Sequence, residues 1–177
     1  MKGIVLLAIG LTSLTVAAQQ PPAPTPAASP PNMEPRTFIS AAEISDRIAK
    51  ADAAAKAGST SSPGPMLLQG DFKANMEYRN APATTVNIHE NDAELFVVIE
   101  GAGTMTLGGT LINPTRNGTN LQAPTARGGT PYKIAKGDMI LIPENTAHSV
   151  TQVDGKLVLM SMHLPHPAPV PAVPPPR

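Results

Sequence analysis

The chain has 177 residues, enough for one ordinary domain and short for two. Thirteen Lys and Arg balance thirteen Asp and Glu, so no basic footprint for nucleic acid stands out. Cysteine is absent, which excludes disulfides and thiolate metal sites.

Residues 1–18 have the pattern of a signal peptide: Lys2 supplies a positive start, Ile4 to Leu14 form a short apolar run, and Val16 and Ala18 are small residues suited to cleavage near Ala18/Gln19. That run falls short of the roughly 20 residues that span hydrocarbon. The expectation is a secreted or periplasmic protein with no stable membrane insertion once the signal is removed. Fourteen of the 21 prolines fall in Pro21–Pro35 and Pro165–Pro176, so residues 19–35 read as a linker and 165–177 as a tail.

Residues 36–60 hold the helical signal. Ser40 with Glu43 makes a capping box, Ile39 and Ile44 are placed as a hydrophobic staple, and Gly58 marks the stop. Ile44, Ile48, Ala51 and Ala55 form a narrow apolar stripe, expected to pack on the remaining domain or on a partner subunit.

From Met66 onward the pattern is that of strands. Thr84–Ile88, Glu94–Glu100, Thr104–Leu107, Met139–Ile142, His148–Val153 and Leu157–His163 are short and β-branched, with Gly, Pro, Asn and Asp between them. Such spacing predicts a sandwich or barrel. Val153-Asp154-Gly155-Lys156 reads as a two-residue hairpin. That register sets Val150 opposite Leu159 and His148 opposite Ser161, and turns His163 to the same side as His148. The stretch from Gly108 to Thr130 reads as a solvated loop, or as a lid whose Arg116 and Arg127 meet an anionic substrate. Asn117-Gly118 within it reads as a turn.

Three residues stand out chemically. His89 precedes Glu94 by a tight loop, so the carboxylate can face the imidazole across a strand pair, and Asn87 shares the side of His89. His148 follows a Gly-Asp turn, a strand and Pro143. Two histidines and a carboxylate suit a first-row divalent metal and match the ligand set of non-haem iron oxygenases. The competing reading is two half-buried histidines satisfied by backbone hydrogen bonds. Burial of Glu94 without a partner would then be costly, which favours a cation.

The spacing of these residues resembles the two motifs of the cupin superfamily. The first motif is usually written G-x5-H-x-H-x3,4-E-x6-G, and His89, Glu94 and Gly101 fit it, with Asn87 where its first histidine belongs. The second is G-x5-P-x-G-x2-H-x3-N, and Gly137, Pro143 and His148 fit it, with Asn145 at the glycine and Gln152 where the final asparagine belongs. The resemblance implies an all-β, antiparallel barrel of the double-stranded jelly-roll type over residues 61–164, preceded by one α-helix. It implies a metal (iron, manganese or zinc) on His89, Glu94 and His148, with Asn87 as an auxiliary ligand. Glu94 is then a candidate catalytic group. His163, which neither motif includes, is a second on the hairpin register alone, as an outer partner of the metal or a proton shuttle at the cavity rim near neutral pH, or else an exposed histidine where the chain enters its proline tail. The implied activity is dioxygenase-like chemistry on a small molecule in a homodimer. A metal-dependent isomerase or hydrolase, and a non-catalytic ligand-binding or metal-binding module, stay open.

Overall fold

The computed structural model describes residues 34–58 and 63–166. The expected signal peptide, most of the linker and the C-terminal tail beyond His166 lie outside the described residues. Within them one helix is followed by strands, and no described helix is long and apolar enough to cross a membrane.

Helix α1 (Ala41–Lys56) begins where its cap predicts: Ser40 is extended and its Oγ accepts from the Glu43 amide at 3.1 Å. The capping box is only half formed, because the Glu43 carboxylate turns to Arg36 and Arg47 instead of the Ser40 amide. Gly58 ends the helix at φ 79°.

The strands are β1 (Gly64–Gln69), β2 (Phe72–Arg79), β3 (Val86–His89), β4 (Asp92–Leu107), β5 (Thr110–Ile112), β6 (Thr115–Asn117), β7 (Asn120–Ala123), β8 (Thr125–Arg127), β9 (Thr130–Ala135), β10 (Met139–Ile142) and β11 (His148–Pro165). All pairings are antiparallel, as expected for a jelly roll. The long strands β4 and β11 pair along their whole length and are shared by two layers. One layer runs β1-β2-β11-β4-β10 through the Leu157–Pro165 half of β11, and the other runs β6-β7-β3-β11-β4-β9 through its His148–Val153 half. Among the described residues the strand pairing does not continue all the way round, and the two layers make a jelly roll.

The doubling-back of the β4–β11 ribbon depends on glycine. A Cβ on Gly101, at φ 83°, would lie 1.9 Å from the Lys156 carbonyl oxygen, and one on Gly103 would lie 2.4 Å from that of Gln152. Only a residue without a side chain permits this approach. The two ends of the ribbon are thereby brought back toward one another, with Phe96, Val98, Met105, Ile142, Val150, Leu157 and Leu159 packed between the layers. On the outer side of the first layer, Ile48 packs with Met66, Met76 and Val158, and Ile39 and Ile44 join them. The helical stripe therefore covers the sheet.

Three expectations need correction. Val153–Lys156 is not a hairpin: Asp154 and Gly155 form an irregularity inside one strand, with Val153 opposite Gly103 and Leu157 opposite Gly101. His148 accordingly lies opposite Leu107 and Asn87, and Ser161 opposite Phe96 and Asn75. The stretch from Gly108 to Thr130 is neither lid nor plain loop, since it forms β5 to β8 and adds β6 and β7 to the second layer. Its Asn117–Asn120 segment is a tight turn with Gly118 at φ 61°. Arg116 pairs with Glu90, and no ion pair or side-chain hydrogen bond involves Arg127 among the described residues. Finally, Pro165 is still in β11, paired with Asp92, so the tail starts one residue later than its composition suggests.

Candidate metal centre

Four side chains from three strands meet between the layers. His89 ends β3, Glu94 enters β4, and His148 and His163 stand near opposite ends of β11. Glu94 and His148 are 4% and 5% exposed. His89 Nε2 and His148 Nε2 each lie 3.2 Å from Glu94 Oε2, and His163 Nε2 lies 3.6 Å from Glu94 Oε1. The His163 ring sits edge-on against His89, with centroids 4.4 Å apart.

The other ring nitrogens fix the protons. His148 Nδ1 lies 3.1 Å from the Thr146 carbonyl oxygen, which can only accept, so Nδ1 carries hydrogen. His89 Nδ1 meets Asn120 Oδ1 at 3.0 Å and donates in the same way. In the neutral rings both Nε2 lone pairs then point at Glu94 Oε2. That oxygen is buried and has no hydrogen-bond donor among the described residues.

Three acceptors facing one another repel unless positive charge lies between them. Either a histidine takes a second proton or a cation binds. Ligands about 2.1 Å from a tetrahedral metal stand about 3.4 Å apart, and the separations of 3.2, 3.2 and 3.6 Å suit that. His89, Glu94 and His163 therefore fit a divalent metal, with Asn120 as the outer partner a ligating His89 requires, while His148 reaches Glu94 from outside that group and is held by Thr146. The ligand atoms of His89, Glu94 and His163 all lie within 4.8 Å of one another.

The electrostatics describe the protonated alternative. Burial alone would raise the Glu94 carboxyl, but His148 and His89 outweigh it and hold the group at about 2. Burial would lower His89, and Glu94 and Asn120 reverse this to a net rise.

His89 and His148, both singled out by their spacing, each reach Glu94. Asn87 lines the same cavity, but its Oδ1 accepts from Gln122 Nε2 at 3.0 Å, so that oxygen braces β7. His163 touches the cluster through Glu94 and is the most exposed of the four, at 40%. Asn120 and Gln122 were missed, because they lie in the segment read as a loop. The cluster opens into a cavity of about 520 Å³ walled by Phe96, Met105 and Val150 on its apolar side. Asn75, Glu77 and Arg79 of β2 also line it. Their signal was the alternation Lys73-Ala74-Asn75-Met76-Glu77-Tyr78, which marks a strand with one polar face.

No family model matches the chain, and no curated protein does. Solved structures do. A cupin protein from Bacteroides fragilis is 12% identical with a TM-score of 0.41, aligned over 60% of this chain and 76% of that one. The Cnp3 cupin domain of Schizosaccharomyces pombe is 13% identical with a TM-score of 0.42, over 58% and 59%. Hydroquinone 1,2-dioxygenase from a Sphingomonas species, with 4-hydroxybenzoate bound, is 10% identical with a TM-score of 0.43, over 60% and 65%. The fold itself rests on its own strand pairing, and by this the protein is an antiparallel jelly roll of two layers sharing one doubled-back ribbon, with two spaced motifs that resemble those of cupins.

Proposed function

We propose that the protein is a metal-dependent enzyme acting on a small organic molecule held between the two layers. His89, Glu94, His148 and His163 would hold one divalent ion. The observation that carries this reading is the buried Glu94 Oε2, faced at 3.2 Å by two imidazole nitrogens whose protons are committed elsewhere. A bound iron, manganese or zinc ion would polarise a substrate oxygen, and iron would add oxygenase chemistry.

The chain's own residues have separable tasks. Asn120 and Thr146 orient the rings. Glu94 supplies the negative charge that favours a cation. Phe96, Met105 and Val150 keep water from one side of the cavity and receive an apolar substrate body. Export through residues 1–18 and homodimer formation belong to the same proposal. Met139 and Leu141, exposed on the edge strand β10, are the apolar surface a second copy would cover. A monomer by light scattering at micromolar concentration would remove the dimer.

The test is metal analysis of protein purified without oxygen, beside His148→Ala. The expected result is close to one equivalent in the wild type and much less in the variant. Iron with substrate-dependent oxygen uptake supports the oxygenase, whereas zinc or manganese favours isomerisation or hydrolysis. Equal, negligible metal in both proteins would overturn the metal centre and leave a non-catalytic binding module.

A further inference from the structure

The β2 strand presents a second charged group to the cavity, away from the histidines. Met76 and Tyr78 pack toward the helix, so Asn75, Glu77 and Arg79 face inward. Register places Arg79 opposite Leu157 and the nearer residue Ala74 opposite Met162. His163 is six residues beyond Leu157, about 20 Å of extended strand. The guanidinium and the histidine cluster therefore serve different ends of one cavity.

Arg79 is incompletely satisfied. Its Nη2 donates to Glu77 Oε2 at 2.6 Å, while its Nε is buried with no hydrogen-bond partner. An arginine kept only for an internal ion pair would present two parallel N–H groups to the carboxylate, the fork that gives such pairs their strength. Here a single contact is made and a buried donor is left over, which a native structure seldom tolerates without a reason. The same fork matches a ligand carboxylate in shape and charge.

We propose that Arg79 binds the carboxylate of a small organic acid whose apolar body lies along Phe96, Met105 and Val150 and whose other end faces the histidine cluster. Glu77 holds the guanidinium until the ligand arrives and competes with it for the same donors. The proposal deepens the reading of this cavity as a substrate site, and it depends on the cavity and not on which metal binds.

Calorimetric titration with benzoate and with neutral benzamide tests it, on zinc-loaded and on chelator-stripped protein. Wild type is expected to bind benzoate at least tenfold more tightly than benzamide. Arg79→Gln should abolish that preference, and Arg79→Lys should keep part of it. Glu77→Gln should tighten benzoate severalfold by removing the resident competitor, and the gain should vanish when Arg79→Gln is also present. Absence of benzoate binding to wild type, indifference to Arg79→Gln, or weakening by Glu77→Gln would each overturn the proposal. If the protein takes up no metal yet keeps the Arg79 dependence, only the metal reading fails. If metal uptake is intact while benzoate binding ignores Arg79, only this inference fails.

Discussion

Two clusters of charge lie on opposite faces of the same layer, and they are built on different terms. Outside, Lys156 Nζ stands 2.9 Å from Asp52 Oδ2 and 2.8 Å from Glu100 Oε1, and the Tyr78 hydroxyl donates to Asp52 Oδ1 at 2.7 Å. Every partner there is matched, and the network ties α1 to the sheet. Inside, Glu94 gathers three imidazoles yet keeps a buried oxygen without a donor. Both acids come from β4. The register shift at Val158/Leu159 re-aims the strand between Glu94 and Glu100, so that Glu100 meets Lys156 on the outer face while Glu94 faces the cavity. A matched network is explained by stability alone; an unmatched, buried convergence of acceptors points to something that binds.

The sharpest way to break this contrast is Glu94→Gln. Metal affinity should fall by more than about 100-fold, beyond the range typical for outer partners, as read by competition with a chromogenic chelator. Retained affinity would mean that Glu94 is not a ligand. His163→Gln should reduce affinity by about 10–100-fold, whereas a pure proton shuttle would lose turnover with metal binding intact. Asn120→Ala releases the His89 ring and should weaken metal binding about tenfold without unfolding the chain, a result checked by circular dichroism beside the titration.

The pH dependence separates the proton-filled from the metal-filled state. His89 is raised in the folded protein, so its stabilising pairing with Glu94 is fully present below its ordinary value of 6.5 and is lost as pH rises through the raised value. Metal binding has the opposite slope, because it needs unprotonated imidazole. The melting temperature of stripped protein should therefore fall above about pH 6.5, and the stabilisation gained on adding metal should grow. Parallel curves would remove the competition between proton and metal. The smallest effect is expected outside: Lys156→Met should cost about 1 kcal/mol or less and leave metal affinity unchanged. A change in metal affinity there would couple two clusters that are described above as independent.

The legible part of the site was local. His89, Glu94 and His148 each sit in short patterns whose parity fixes a face, and helix α1 was marked by its own cap and stripe. Asp154-Gly155 misled because the same dipeptide serves a hairpin turn and a strand irregularity; what decides is the room left by Gly101 and Gly103 on the neighbouring strand. His163 nevertheless faces His148's cavity, for a different reason than the hairpin register. Fifteen residues along a regular strand would set the two on opposite faces, and the irregularities after Val150 and Val153 alter that parity. Asn120 was illegible because its bond to His89 spans 31 residues and its own segment is too polar to announce a strand.

The doubled-back ribbon also sets the order in which the protein can become competent. His89 and Glu94 leave the ribosome early, whereas His163 lies in the last strand and pairs with Glu94 across about 70 residues of chain. No partial chain lacking β11 can assemble the full ligand set. Under the proposed function, metal would bind only the completed fold and would add its binding free energy to that state alone. An ion in this site would lock a finished molecule instead of templating an unfinished one, and apo chains would be the population exposed to proteolysis.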